Sequence, residues 1–78
     1  MDLRQIEYII AIEQEESISK AAEKLFITQS ALNQQLLKLE KELGMPLFER
    51  KKRQMIPTVA GRIYLATAHQ MIDMKEET

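Results

Sequence analysis

Apolar residues fall on two sides of the segment from residue 3 to about 14: Leu3, Ile6 and Ile10 on one, Tyr8, Ile9 and Ile12 on another. A surface helix needs a single stripe, so this pattern predicts a first helix held between two neighbours. "EQEES" ends it, and Ser17 is placed to cap a short second helix over about 18–25. That helix offers Ile18, Ala21, Ala22 and Leu25 to a core. Thr28 caps a third helix running to about Leu43, in which Leu32, Leu36, Leu39 and Leu43 share one narrow stripe. Gly44 follows as the left-handed terminator, and Pro46 prevents the helix from resuming.

"LFERKKRQMIPT" then changes period, with apolar ends around a basic centre. Two short strands near 47–50 and 55–57, joined by "KKRQ", are the expected structure. Thr58 caps a fourth helix with Ala60, Tyr64, Ala68 and Met71 along one side and Ile63 and Ile72 beside them. Its end, "DMKEET", carries no stop signal, which leads us to expect a fragment of a longer protein. The spacing from Ala21 and Ala22 through the "FIT" link to Leu32 fits a helix-turn-helix, in which small residues let two helices cross closely. That spacing alone is shared by many helical hairpins, and the frequent turn glycine is absent.

With 78 residues the chain has room for one small domain with a modest core, and 45% hydrophobic content separates it from disordered sequences. There is no cysteine and only one histidine, His69, which leaves no thiolate zinc site, no disulfide framework and no multi-histidine metal site. No Ser, His and carboxylate grouping suggests catalysis, so neither an enzyme nor a cofactor is expected. Glu13, Glu15 and Glu16 read as a solvated helix end, and His69 as a surface or interface imidazole. The start "MDLRQIEYII" lacks a signal peptide's features and no apolar run approaches spanning length, so a cytoplasmic protein without a membrane partner is expected.

Charge alters this picture only once it is divided along the chain. The net charge is −1, but residues 1–19 hold one positive and five negative side chains, whereas residues 44–62 hold five positive and one negative. Local sign governs what an exposed surface attracts, because distant charges are screened. One basic face is therefore expected.

The third helix opens on Thr28, Gln29, Ser30, Asn33 and Gln34, uncharged where a solvated face would more often carry Lys and Glu. Recognition helices enter the major groove with their N-terminal residues near base edges, where Gln and Asn pair with adenine and Ser with either partner. Thr28 is assigned to the cap, and Gln29, Ser30, Asn33 and Gln34 to base contact. Lys38 farther along the helix and "RKKR" (Arg50, Lys51, Lys52, Arg53) are the candidates for phosphate or minor-groove contact.

"SISKAAEKLFITQSALNQQLLKLEKELGMPLFER", continuing to "PTVAG", resembles the N-terminal DNA-binding domain of LysR-type transcriptional regulators. The resemblance covers essentially the whole chain and rests on Ala21-Ala22, Leu25, Gln29-Ser30, Gln35, Leu39-Glu40, Leu43-Gly44, Leu47-Phe48, Arg50, and Thr58 with Ala60-Gly61. It implies a mainly α fold: a winged helix-turn-helix over residues 1–57, with a three-helix core and a β-hairpin wing, then a linker helix over 58–78. It also implies double-stranded DNA with an interrupted palindromic operator as partner, and a homodimer formed through the linker helix, with Ala60, Tyr64, Ala68 and Met71 as its seam. Tetramers, and a small-molecule effector bound by a C-terminal domain outside these residues, are implied for the full-length protein. Base contacts carry over onto Gln29, Ser30, Asn33 and Gln34, and the wing's minor-groove contact onto Arg53.

The chain departs from the family pattern at three positions. Asn33 stands where Ser is common, and Gln34 and Leu37 stand where basic residues are frequent. Two phosphate charges are thereby missing, which implies a shallower salt dependence than is usual for the family. Other readings are a different winged-helix regulator of the molybdate-responsive type, or a helical protein-interaction and dimerisation module.

Overall fold

The computed structural model describes residues 3–77, and side chains through Asp73. Its elements follow in the order α1 (Leu3–Glu15), α2 (Ile18–Leu25), α3 (Gln29–Leu43), β1 (Phe48–Lys51), β2 (Gln54–Pro57) and α4 (Val59–Glu77). Thr78, the last residue of the expected linker helix, lies outside the described residues. The fold is the expected one, a helix-turn-helix core with a hairpin wing and a following helix.

α1 is the hub. It packs against α2, α3, α4 and β2, and buries Ile6, Ile9, Ala11 and Ile12, with Tyr8 and Ile10 half-buried around them. This is the physical outcome of its two apolar faces. α2 buries Ile18, Ala21 and Ala22, and α3 answers with Leu32, Leu36 and Leu39. Leu43 ends the leucine stripe differently from expectation. It is 38% exposed and lies in an apolar depression with Met45, Leu47, Ala60, Ile63 and Tyr64.

The caps act as local chemistry dictates. Ser17 Oγ accepts from Lys20 N–H at 3.2 Å, and Thr28 Oγ1 from Ala31 N–H at 3.0 Å. Gly44 closes α3 with φ of 76°. The α2–α3 turn, which lacks glycine, places Phe26 in the left-handed region (φ 60°), and Ile27 N–H returns to Ala22 O at 3.0 Å. Phe26 is 95% exposed there.

β1 and β2 pair antiparallel with Phe48 opposite Pro57 and Arg50 opposite Met55. Lys51 and Gln54 belong to the ladder, so the loop is Lys52-Arg53 alone rather than the expected "KKRQ". Both loop residues have positive φ, 49° and 67°, as a two-residue type I′ turn requires. Phe48 and Met55 face inward and are nearly fully buried, which anchors the hairpin to the core. Met55 N–H also donates to Glu16 O at 3.0 Å.

The junction from α3 through the wing to α4 is tied by a set of side-chain-to-backbone and backbone bonds. Glu40 Oε2 accepts from Leu47 N–H at 2.6 Å and lies 3.4 Å from Phe48 N. Leu47 O accepts from Thr58 N–H at 3.0 Å, while Thr58 Oγ1 donates to Pro46 O at 2.7 Å and accepts from Gly61 N–H at 3.0 Å. Gly61 is required by proximity: a Cβ there would stand 2.0 Å from Leu47 O. The residues of "PTVAG" thus cap α4 and let it touch the start of the wing. Farther along, His69 Nε2 meets Glu13 Oε1 at 2.8 Å and pins α4 to α1. The acidic end of α1 is therefore not simply solvated, since Glu15 also pairs with Lys24 at 3.7 Å.

Candidate nucleic-acid interface

Thr28 starts α3 on the surface, and its first turns hold no acidic side chain. Gln29, Ser30 and Gln34 are exposed there, while Asn33 is half-buried. The leucine stripe that docks α3 turns this polar side outward.

Two adjoining clefts separate the start of α3 from the wing. One, of about 370 Å³, is lined by Ile18, Gln29, Ser30, Asn33 and Arg50. The other, of about 270 Å³, is lined by Ser17, Ser19, Gln29, Arg50, Arg53 and Gln54, with Ile18 and Met55 at its floor. The structure therefore brings together three of the four residues assigned to base contact and two of the wing arginines. Gln34 stays on the same turn of α3 without lining either cleft.

The basic residues divide by position. Lys52 and Arg53 form the exposed tip of the wing. Lys51 is on the outer strand face, paired with Glu49 at 3.3 Å. Arg50 differs from the expectation that grouped it with them. Strand alternation sets it on the same face as Phe48, turned towards α3, and its Nη2 donates to Asn33 Oδ1 at 3.1 Å. Lys38 is exposed but remote from the wing, beside a depression it shares with Arg4, Gln5, Tyr8 and Gln35.

Polar residues near this surface that the sequence does not mark for DNA contact include Ser17, Ser19 and Gln54 in the cleft, and Arg4 beside Lys38. Ser17 was legible only as a cap, and nothing in the sequence near Arg4 signals its approach to α3. On α4, Ala60 and Tyr64 are half-buried and Met71 is 45% exposed, but Ala68 is only 2% exposed because its own chain covers it. The exposed apolar side of α4 instead carries Val59 and Ile63, at 70% and 66%. Among the described residues, no helix is long and apolar enough to cross a membrane.

Known proteins share this arrangement. Residues 3–62 match the model of the bacterial regulatory helix-turn-helix protein, lysR family. The HTH-type transcriptional regulator BsdA of Bacillus subtilis (strain 168) is 45% identical over 78 residues, covering 99% of this chain and 27% of that protein. BenM, an HTH-type transcriptional regulator of Acinetobacter baylyi (strain ATCC 33305 / BD413 / ADP1), is 38% identical, with 95% of this chain and 27% of that protein covered. The chain thus spans about a quarter of the length of such relatives. Among solved structures, the BenM DBD/benA site 1 DNA complex superposes with a TM-score of 0.92 at 36% identity, covering 99% of this chain and 86% of that one. The CbnR DBD–DNA complex gives 0.89 at 31% identity, with 99% and 88% covered. The match over residues 3–62, on a winged helix-turn-helix that superposes on solved LysR-type DNA-binding domains, establishes that this chain belongs to the lysR family of bacterial regulatory helix-turn-helix proteins.

Proposed function

We propose that the chain reads double-stranded DNA as the DNA-binding part of a longer, dimeric transcriptional regulator. The N-terminal end of α3 enters the major groove, where Gln29, Ser30, Asn33 and Gln34 meet base edges. Lys52 and Arg53 at the wing tip reach the neighbouring minor groove or its phosphates, with Lys51 and Lys38 along the backbone. Residues 1–57 form the reading unit and residues 58–78 the linker helix. The operator is an interrupted palindrome, matching a two-fold dimer. Val59, Ile63 and Met71, with the half-buried Ala60 and Tyr64, supply the seam for the second copy. Effector binding and tetramer formation belong to a C-terminal domain of the longer protein.

The observation that carries this reading is the cleft that joins Gln29, Ser30 and Asn33 to the basic wing. These residues come from α3 and β1, and their polar groups converge on a surface without an acidic side chain in its lining. The DNA complexes of BenM and CbnR domains with the same fold support it.

Fluorescence anisotropy with upstream intergenic duplex DNA, at a series of salt concentrations, tests it. Each phosphate neutralised contributes about −0.9 to the slope of log K against log salt. Lys38, Lys51, Lys52 and Arg53 together give an expected slope of about −3 to −4 per protomer. Binding that ignores salt would overturn the proposal and favour a protein-interaction module.

A further inference from the structure

Arg50 and Asn33 are 17 positions apart, yet their side chains meet at 3.1 Å across the cleft between the wing and α3. The register explains how. Arg50 lies opposite Met55 and on the same strand face as Phe48, and both apolar residues are buried, so the arginine is aimed back at the recognition helix. Among the described residues no carboxylate lies within ion-pair distance of Arg50. A guanidinium carries only donors, so the atom of Asn33 that faces it must be the amide oxygen. Asn33 lines the cleft with Gln29 and Ser30, and with its oxygen engaged by Arg50 the amide NH2 is the group left to donate.

We infer that Arg50 is a positioning residue for base reading, holding the Asn33 carboxamide in one orientation so that it presents a hydrogen-bond donor to the major groove. An unrestrained asparagine can turn either its oxygen or its nitrogen to a base. The restrained one donates. In the major groove, guanine O6 and N7, adenine N7 and thymine O4 accept such a bond, whereas the edge of cytosine offers the N4 amino group, itself a donor. The base facing Asn33 is therefore one with an acceptor, and cytosine is rejected. This selectivity depends on the wing being docked, since β1 supplies the arginine. The inference rests on the proposed DNA-reading function and adds to it which chemistry one helix position selects and what holds it.

Selection from a library of randomised DNA duplexes, followed by affinity measurements at several salt concentrations, tests this. The Asn33→Ala variant identifies the base pair whose preference depends on Asn33. At that pair the unaltered chain is expected to discriminate against cytosine on the order of tenfold. Arg50→Met is expected to relax that discrimination several-fold, and to relax it no further in the Asn33→Ala background. Arg50→Lys keeps the charge but not the planar fork, and is expected to hold the salt slope while still relaxing the same pair. A role for Arg50 at phosphate alone predicts something different. Arg50→Met would then weaken all sequences equally and reduce the slope by about 0.9, and Arg50→Lys would leave preference untouched. That result overturns the inference while leaving DNA reading intact. A library from which the unaltered chain enriches no duplex overturns both.

Discussion

The two ends of α3 are built on opposite terms. At its C-terminal end, Glu40, Pro46, Leu47, Thr58 and Gly61 are tied to one another by short bonds and one close backbone approach. At its N-terminal end, Gln29, Ser30 and Gln34 are exposed, and the Arg50–Asn33 bond joins this end of α3 to the wing. The first region spends its polar groups on the fold. The second keeps them available, which is what the proposed exchange of water for base edges requires. The difference also suggests how the molecule carries both tasks: the dense junction fixes where the wing and α4 leave α3, so the open end can remain open without losing its geometry.

The largest effect expected from breaking this contrast is at Gly61. Its Cβ would stand 2.0 Å from a backbone oxygen, and backbone cannot rotate away as a side-chain tip can. Gly61→Ala is expected to destabilise the domain by roughly 3 kcal/mol, at the upper end of the overpacking range. A chain of this size holds on the order of 4–12 kcal/mol in total, so the loss is a large share. Thermal unfolding followed by helical circular dichroism measures it. A variant with unchanged stability would show that α4 is free to move off the wing.

Next in size is Glu40. Its carboxylate accepts the N–H of Leu47, a residue only 1% exposed, so its removal leaves a buried donor without that acceptor. Glu40→Ala is expected to cost about 2 kcal/mol, the range for a hydrogen bond to a charged group. The control is Gln34→Ala, which should change stability by less than about 0.5 kcal/mol. The same change should alter discrimination at a base pair by about 1–3 kcal/mol. Denaturant midpoints for the pair, set beside their affinities for one duplex, separate the two regions. Equal stability losses at Glu40 and Gln34 would dissolve the contrast.

What the sequence revealed follows the same division. Helix starts at Ser17 and Thr28 and the stop at Gly44 were legible because caps are local, set by residue types one to three positions away. The open end of α3 was legible for a related reason: polar residues without an internal role stand out against a leucine stripe. The hairpin is visible in the sequence but the shortness of its loop is not, since Lys52 and Arg53 are not the Asn and Gly that announce positive φ. The bonds between Glu40 and Leu47, Arg50 and Asn33, and His69 and Glu13 are absent from any local pattern, because they exist only after the chain has folded back. "PTVAG" was recognisable by resemblance, but its reason, a cap and a close approach at one corner, emerged only in three dimensions. Ala68 shows the converse: its spacing fits a seam between chains as well as one within its own, and burial decides for the latter.

The smallest expected effect sharpens the comparison most, because it lies where the open region does hold an internal pair. Glu49 and Lys51 meet at 3.3 Å on the outer face of the wing, and both are largely exposed. Exposed pairs of this kind contribute about 0–1 kcal/mol, so Glu49→Gln should leave the unfolding midpoint almost where it was. Its influence on DNA should have the opposite sign. The carboxylate opposes the approach of a phosphate and competes with it for Lys51, so the variant should bind duplex DNA more tightly at low salt, with a slightly steeper dependence on salt. As salt rises the gain should shrink, since the interaction removed is a screened surface charge. Anisotropy titrations of both proteins on one duplex at low and high salt would show curves that converge. Weaker binding by Glu49→Gln would instead mean that Glu49 holds Lys51 where a phosphate needs it, and that the outer face of the wing is built by the same rule as the junction.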